Sequence, residues 1–464
     1  MKPIPLFGLG LTGKSVSVTA QKRLNMYAEV LTDGEKNGLA FYPTPGKILF
    51  SNLGAAPVRG MWPAKGYLWV VQGGTLFRLD NAGNQTIIGY LATGAGRVSM
   101  IDNGIQLIIV DGPNGYIYNF NTMVFGQITD PDFPGGNTVT FMNGVFIVNK
   151  PNTGQFYISA VYDGTSWDSL QFATAENDPD DLVSVFVDTG NLILFGDKTT
   201  EFWGDSNSAD FMFARIGSAA IEYGLAARWS LCKFDNTIIF LRKNRLGQSQ
   251  ICVMNGFQSA PVSTPELDYT ISQYSVVSDA TGFSYMLGGH PMYQINFPTA
   301  GESWLFDGQS KSWSKVGTDT GRDNAEISVN FLDKTYVSDN VSGNIYVLSA
   351  TTYTNNGATI PREIICRHQD AGDFTRISQL WIEFEPGIGL QNGQGSDPKV
   401  MMQISRDGGK TYGAELWASI GKIGMYKQRA LWNRLGRARD WVFKFRITDP
   451  IKPVIVTAWG VFGK

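Results

Sequence analysis

The sequence predicts an all-β protein: a β-propeller of about seven blades, with six possible, followed by a C-terminal β-sandwich-like domain. Three observations carry this expectation. The 464 residues are rich in glycine (53) and aromatics (12%) and poor in charge (17%), which suits many short strands joined by tight turns. A short apolar stretch recurs seven times at spacings between 38 and 51 residues, the period of propeller blades. No run of twelve or more residues carries a helical period.

The apolar stretches are YLWVV (67–71), IQLIIV (105–110), VFIV (145–148), NLILF (191–195), TIIFL (237–241), FSYML (283–287) and KTYVSD (334–339). Turn dipeptides such as Asn103-Gly104, Asn143-Gly144 and Thr189-Gly190 precede most of them. Each is expected to be the innermost strand of its blade, beside the central channel. Aromatic-bearing partners follow, from TLFRLD (75–80) to NIYVLS (344–349), and then elements with a Trp or Phe such as YDGTSWDSLQF (162–172) and FDGQSKSWSKV (306–316). From about Ala358 the spacing changes: IICRH, LWIEFEP, VMMQIS, WVFKFRIT and VIVTAWGVF read as strands of a separate sandwich. The expected division is therefore 1–57 as an N-terminal arm, 58–357 as the propeller and 358–464 as the sandwich. A β-sandwich throughout, with irregular strand spacing, is the competing architecture.

Residues 8–15, GLGLTGKS, satisfy the P-loop pattern, and Gly8, Gly10 and Gly13 also spell G-x-G-x-x-G. Both motifs present backbone N–H groups to phosphate between a strand and a helix. Here the seven preceding residues include two prolines, and Val16, Val18 and Ala20 alternate with polar residues where a helix is required. A flexible Gly-rich arm is the expectation, without a nucleotide or other cofactor.

Net charge is −3, but it is uneven. Residues 358–464 carry sixteen Lys and Arg against ten Asp and Glu, a net of +6 that leaves −9 upstream. Three dispersed cysteines form no C-x-x-C and read as buried hydrophobes in a protein made in a reducing compartment. No signal-peptide pattern and no apolar run of membrane-spanning length is present, so a soluble protein is expected. The two histidines, His290 and His368, supply neither a Ser-His-Asp triad nor a His-based metal site and read as polar loop residues. Asp178, Asp180 and Asp181 lack the Gly and closing Glu of an EF-hand and read as a solvated loop.

SRDGGKTY (405–412) resembles the Asp-box of propeller sialidases. Asp407 is expected to hold a turn, the glycines to supply positive φ, and Tyr412 to pack beneath. The arginines 215, 228, 242 and 245 could in principle grip a glycan carboxylate, though their spacing singles out no cluster. A glycan-binding or glycan-cleaving propeller is therefore the alternative function. The most lopsided charge lies in 421–446, where Lys422, Lys427, Arg429, Arg434, Arg437, Arg439, Lys444 and Arg446 face one acid, Asp440, with Trp432 and Trp441 interleaved. Such a mix can line a nucleic-acid channel or anchor a protein interface. Because alternation would place half of the residues on each face, the interface reading is preferred, with Lys422, Lys427, Arg429, Arg434, Arg437 and Arg439 as its candidate residues.

The ends of the chain resemble a known family. Gln21-Lys22-Arg23-Leu24-Asn25-Met26-Tyr27-Ala28-Glu29, with Tyr42-Pro43-Thr44-Pro45-Gly46, is similar to the N-terminal signature of the packaged-DNA stabilisation proteins of short-tailed bacteriophages. The C-terminal run 405–450 is similar to that family's other end. The resemblance implies a structural tail hub or nozzle subunit in the virion, without catalysis. It implies a homo-oligomeric ring, a hexamer by analogy, below the portal and adaptor. That ring would close the exit channel behind genomic DNA and support the needle and tailspikes. It supplies no residue-level site, and catalytic, cofactor and metal residues are expected to be none.

Overall fold

A computed structural model describes residues 2–31, 38–176, 178–206, 208 and 210–463. Sheet after sheet, four-stranded antiparallel units follow one another along the chain. The first is Val58–Ala64, Tyr67–Gln72, Thr75–Leu79 and Gln85–Tyr90. Five further blades of consecutive strands begin at Ser99, Val139, Leu182, Gly224 and Thr281. A seventh sheet closes the ring. Its strands Ala325–Phe331, Lys334–Asp339 and Asn344–Ser349 are completed by Gly46–Asn52 from the other end of the chain, with Asn344 opposite Asn52 and Ser349 opposite Gly46. One blade thus joins sequence-distant segments, a non-covalent clasp that keeps the ring shut. The buried Lys47 Nζ locks it, meeting Asp323 Oδ1 at 2.6 Å and Oδ2 at 2.8 Å.

The innermost strands are not the apolar stretches expected for that place. Residues of Gly60–Trp62, Arg97–Ile101, Thr138–Thr140, Ser184–Thr189, Gly282–Ser284 and Ile327–Asn330 line one central cavity, and these lie on or beside the first strands of six blades, the fifth contributing Arg228, Trp229 and Leu231–Lys233. Six of the seven stretches are second strands; FSYML alone lies on an innermost one, Thr281–Leu287. The reason is burial. A first strand runs along the cavity and exposes successive residues to it, whereas a second strand is covered by neighbouring blades on both faces and so reads as continuously apolar. Leu107, Ile108, Ile109 and Val110 are all fully buried, each contributing about 1.5–3 kcal/mol of transfer free energy. Between the fifth and sixth blades runs an eight-residue helix, Pro265–Ser272, capped by Thr264 and pinned by buried Leu267 and Ile271.

At the C-terminal end the 18-residue strand Ala430–Ile447 belongs to two sheets. Its first part pairs with Gln369–Phe384, with Ile382 opposite Ala430 and Gln369 opposite Trp441. Its second part runs between Lys399–Ser405 and Arg362–Ile365. The N-terminal segment is woven into the same sheets. Phe41 pairs with Ile455, and Lys22–Leu24 lies between Arg362–Ile365 and the last strand of the sixth blade, where Leu24 meets Lys315. One core cluster accordingly holds Ile4, Leu6, Phe7, Met26 and Phe41 together with Trp441, Phe443, Phe445 and Ile455. The two stretches that resemble the phage family pack against each other.

Candidate assembly interface and central cavity

GLGLTGKS is a packed loop, and it is built the wrong way round for phosphate. Its carbonyls, not its N–H groups, converge. Arg23, almost fully buried, donates from Nη1 to the carbonyls of Gly8 (2.8 Å) and Gly10 (3.3 Å), and from Nη2 to those of Leu9 (3.1 Å) and Trp313. A Cβ at Gly8 or Gly10 would meet the ends of the Arg367 and Gln21 side chains, which would have to move aside. No helix follows Ser15. Leu6, Phe7 and Leu11 are buried, so the segment is an anchored strap rather than a free arm. The desolvated Arg23 guanidinium falls to a pKa of about 10 and stays charged at neutral pH.

Both histidines are structural: His290 lies on a strand, against expectation, and His368 in the loop before Gln369–Phe384. His290 is buried, with Nδ1 3.0 Å from both carboxylate oxygens of Asp307 and its ring edge-on to Tyr27. Ser310 Oγ also donates to Asp307, at 2.6 Å, so the carboxylate sits between Ser and His and no base faces the hydroxyl. His368 bridges Asp440 Oδ2 (2.7 Å) and the Val16 carbonyl (2.8 Å), tying the N-terminal strap to the long strand. The four arginines do not converge. Arg228 donates to the Val183 carbonyl, Arg242 binds Ser259 and Gln250, Arg245 pairs with Asp178, and Arg215 lies 4.0 Å from Glu201. Asp180 accepts from the Lys198 and Thr199 amides. Among the described residues no group of three or more His, Cys, Asp and Glu is placed to hold a metal.

The Asp-box folds as a self-satisfied turn. Asp407 accepts from the Lys410 and Thr411 amides and the Thr411 and Ser405 hydroxyls, which hold its carboxyl well below the usual range. Gly408 and Gly409 take positive φ, and burial beneath the turn pushes Tyr412 up to about 12.

The basic strip divides into two groups. Lys444 pairs with Glu363 at 3.4 Å and Arg446 with Asp319, ties that hold the long strand to its neighbours and to the sixth blade. Lys422, Lys427, Arg429, Arg434, Arg437 and Arg439 are all exposed, and among the described residues none has a carboxylate partner. Alternation does not split them between faces. Opposite Ile377–Gln379 the strand carries one extra residue, a bulge at which Arg434 takes φ +59°. That shift turns Arg434, Arg437 and Arg439 outward together while Trp432, Leu435, Ala438 and Trp441 stay buried. The tryptophans are therefore core, not contact residues. Ile423, Met425, Tyr426 and Leu431, in the same stretch, are exposed instead.

Comparison with known families decides the identity. Residues 3–353 match the family described as "Bacteriophage P22 Gp10, beta-propeller", and residues 364–458 match "Bacteriophage P22 Gp10, beta-sandwich". The chain belongs to the P22 Gp10 family. Among curated relatives, the tail hub protein gp10 of Salmonella phage P22 is 22% identical over 415 residues, 83% of each chain. Among solved structures, the Pan2 WD40 domain of Neurospora crassa is similar over 66% of this chain and 96% of its own (10% identity, TM-score 0.44). The extracellular domain of a protein described as a one-component system of B. thetaiotaomicron is similar over 81% of this chain and 47% of its own (10% identity, TM-score 0.45). Neither carries an argument beyond that likeness.

For a P22 Gp10 relative, two features stand out that reading the sequence missed. The bulge at Arg434 is one of them: Asn433 and Gly436, the latter at φ +93°, flank it and are the signal that could have announced it. The central cavity is the other. Arg97 stands on its wall with its guanidinium 4.7 Å over the Trp229 ring, and burial lowers its pKa to about 10. Nothing in the local sequence around Arg97 marks it.

Proposed function

We propose that this chain is a structural tail hub protein of a short-tailed phage, a subunit of the nozzle ring below the portal and adaptor, and not an enzyme. One observation carries the reading: both parts of the chain match the P22 Gp10 family, and the relative that spans 83% of each chain is named a tail hub protein. The finer parts extend it. The ring is a homo-oligomer, a hexamer by family analogy, made in the host cytoplasm. It docks on the adaptor, closes the channel behind packaged DNA and supports the needle and tailspikes. No helix among the described residues is long and apolar enough to cross a membrane.

We assign the six exposed basic residues to docking on an acidic face of a neighbouring copy or of the adaptor. Their exposure, their lack of acidic partners among the described residues and the apolar side chains beside them support this. A channel lined by such a field would grip DNA through counterion release and slow its exit. The roles divide with Gly46–Asn52 on the propeller side: the propeller projects outward, while the woven termini form the docking body. The test is complementation. Heads assembled without this protein are expected to leak DNA, and purified protein added to adaptor-bearing heads is expected to stop the leak. Retention unchanged by the addition would overturn the assignment.

A further inference from the structure

The buried arginines of this protein are, with one exception, met by acceptors. Arg23 holds four carbonyls. Arg59 reaches Gly73, Thr93, Gly96 and Asp111. Arg362 reaches Tyr353, Ile360 and Asp449. Arg97 differs: among the described residues it has no hydrogen-bond partner, and with Nε and Nη1 shut off from solvent its Nη2 is the nitrogen left open to the cavity. Glu326 lies near enough to favour its charge, but Arg322 holds that carboxylate at 2.6 Å. What Arg97 does touch is the face of Trp229. A charged donor left unmade in a protein wall is costly, and such groups persist where a ligand completes them.

The surroundings define that ligand. The cavity, about 610 Å³, is of the size that holds small organic molecules. Its wall is largely apolar, with Met100, Val185, Phe283 and Ile327 facing it along with Trp229. Arg228 lines the same space, and the Lys233–Asp188 pair on the wall is balanced within itself. The uncompensated fixed charge of the wall is therefore positive. A guanidinium is planar, stacks on an aromatic face, and from its open Nη2 donates a charge-assisted hydrogen bond to a carboxylate.

We propose that the central cavity of the propeller binds a carboxylate carried on an apolar body, the carboxylate pairing with Arg97 and the apolar part resting against Trp229 and the cavity wall. Two sources present this chemistry, a free organic acid and the C-terminal residue of a peptide. The full-length protein is titrated calorimetrically with 3-phenylpropionate and with N-acetyl-Ala-Ala-Phe, each beside its neutral amide. Saturable binding of either acid, weakened about tenfold or more in its amide and in Arg97→Gln, is the expected result. Which of the two acids binds more tightly identifies the source. Arg97→Lys, which keeps the charge without the planar fork, is expected to fall between wild type and Arg97→Gln, and it decides the matter if Arg97→Gln does not fold. The proposal is overturned if neither acid binds at about 10 mM, if the amides bind equally, or if the folded variants bind as the wild type does.

Discussion

Replacing Arg23 by Met removes the one group that gathers the N-terminal strap, the sixth blade and the sandwich at a single point. Four buried carbonyls, of Gly8, Leu9, Gly10 and Trp313, lose a charged donor. Each unmade bond to a buried acceptor costs about 1–3 kcal/mol. The lower end applies here, because a carbonyl keeps a second lone pair and Met relieves the desolvation that depresses the Arg23 pKa. The total is about 4 kcal/mol. Unfolding of a 464-residue chain as one unit carries an entropy of about 1 kcal/mol per degree near the midpoint. Calorimetry should therefore show a loss of about 4 °C, more if the strap and sandwich melt separately. Lys14→Ala is the control. Lys14 is exposed and touches only the Tyr269 ring, so it should change stability by no more than about 1 kcal/mol and no ATP–Mg²⁺ binding should be seen for either protein. Should Arg23→Met melt within a degree of wild type, or Lys14→Ala abolish measurable nucleotide binding, the carbonyl-cradle reading is refuted.

Three further outcomes are expected. Asp at Ile109, Ile193 or Ile239, all buried second-strand positions, should cost several kcal/mol by burying an unpaired charge; wild-type melting temperatures for all three would refute the strand assignment. Asp323 is desolvated, yet Lys47 holds its pKa below the ordinary carboxylate value, so its contribution is full above about pH 4 and fades as pH falls through the lower folded value. Asp323→Asn should cost about 3–5 kcal/mol at pH 7 and flatten the acid limb of a stability–pH profile, and an unchanged acid limb would contradict the clasp. Reversing charge at Arg434, Arg437 and Arg439 should block assembly onto adaptor-bearing heads while far-UV circular dichroism and melting stay as in wild type; normal assembly with altered DNA ejection would place the strip on DNA instead.

How much of this was legible follows from how local each signal is. The blade period was readable because second strands such as 107–110 and 145–148 are covered on both faces and are apolar throughout. Their place in the blade was not, since first strands such as Ser99–Asp102 border the cavity along their edge and read weakly. The clasp of Asn52 with Asn344 pairs residues nearly three hundred positions apart and leaves no mark on either strand. The strip was visible as composition, but its facing depended on a single inserted residue at Arg434. His290 misled because Asp307, which anchors it, lies on the next strand and is found only through the register.

Membership of the tail ring is the central claim, and electron cryomicroscopy of intact particles made from the genome that encodes this chain tests it most directly. Propellers are expected in a ring around the tail axis below the portal, each with its Lys422–Arg439 face against a neighbour or the adaptor. Particles whose tails lack this chain, or hold it as isolated copies away from the DNA exit, would contradict it.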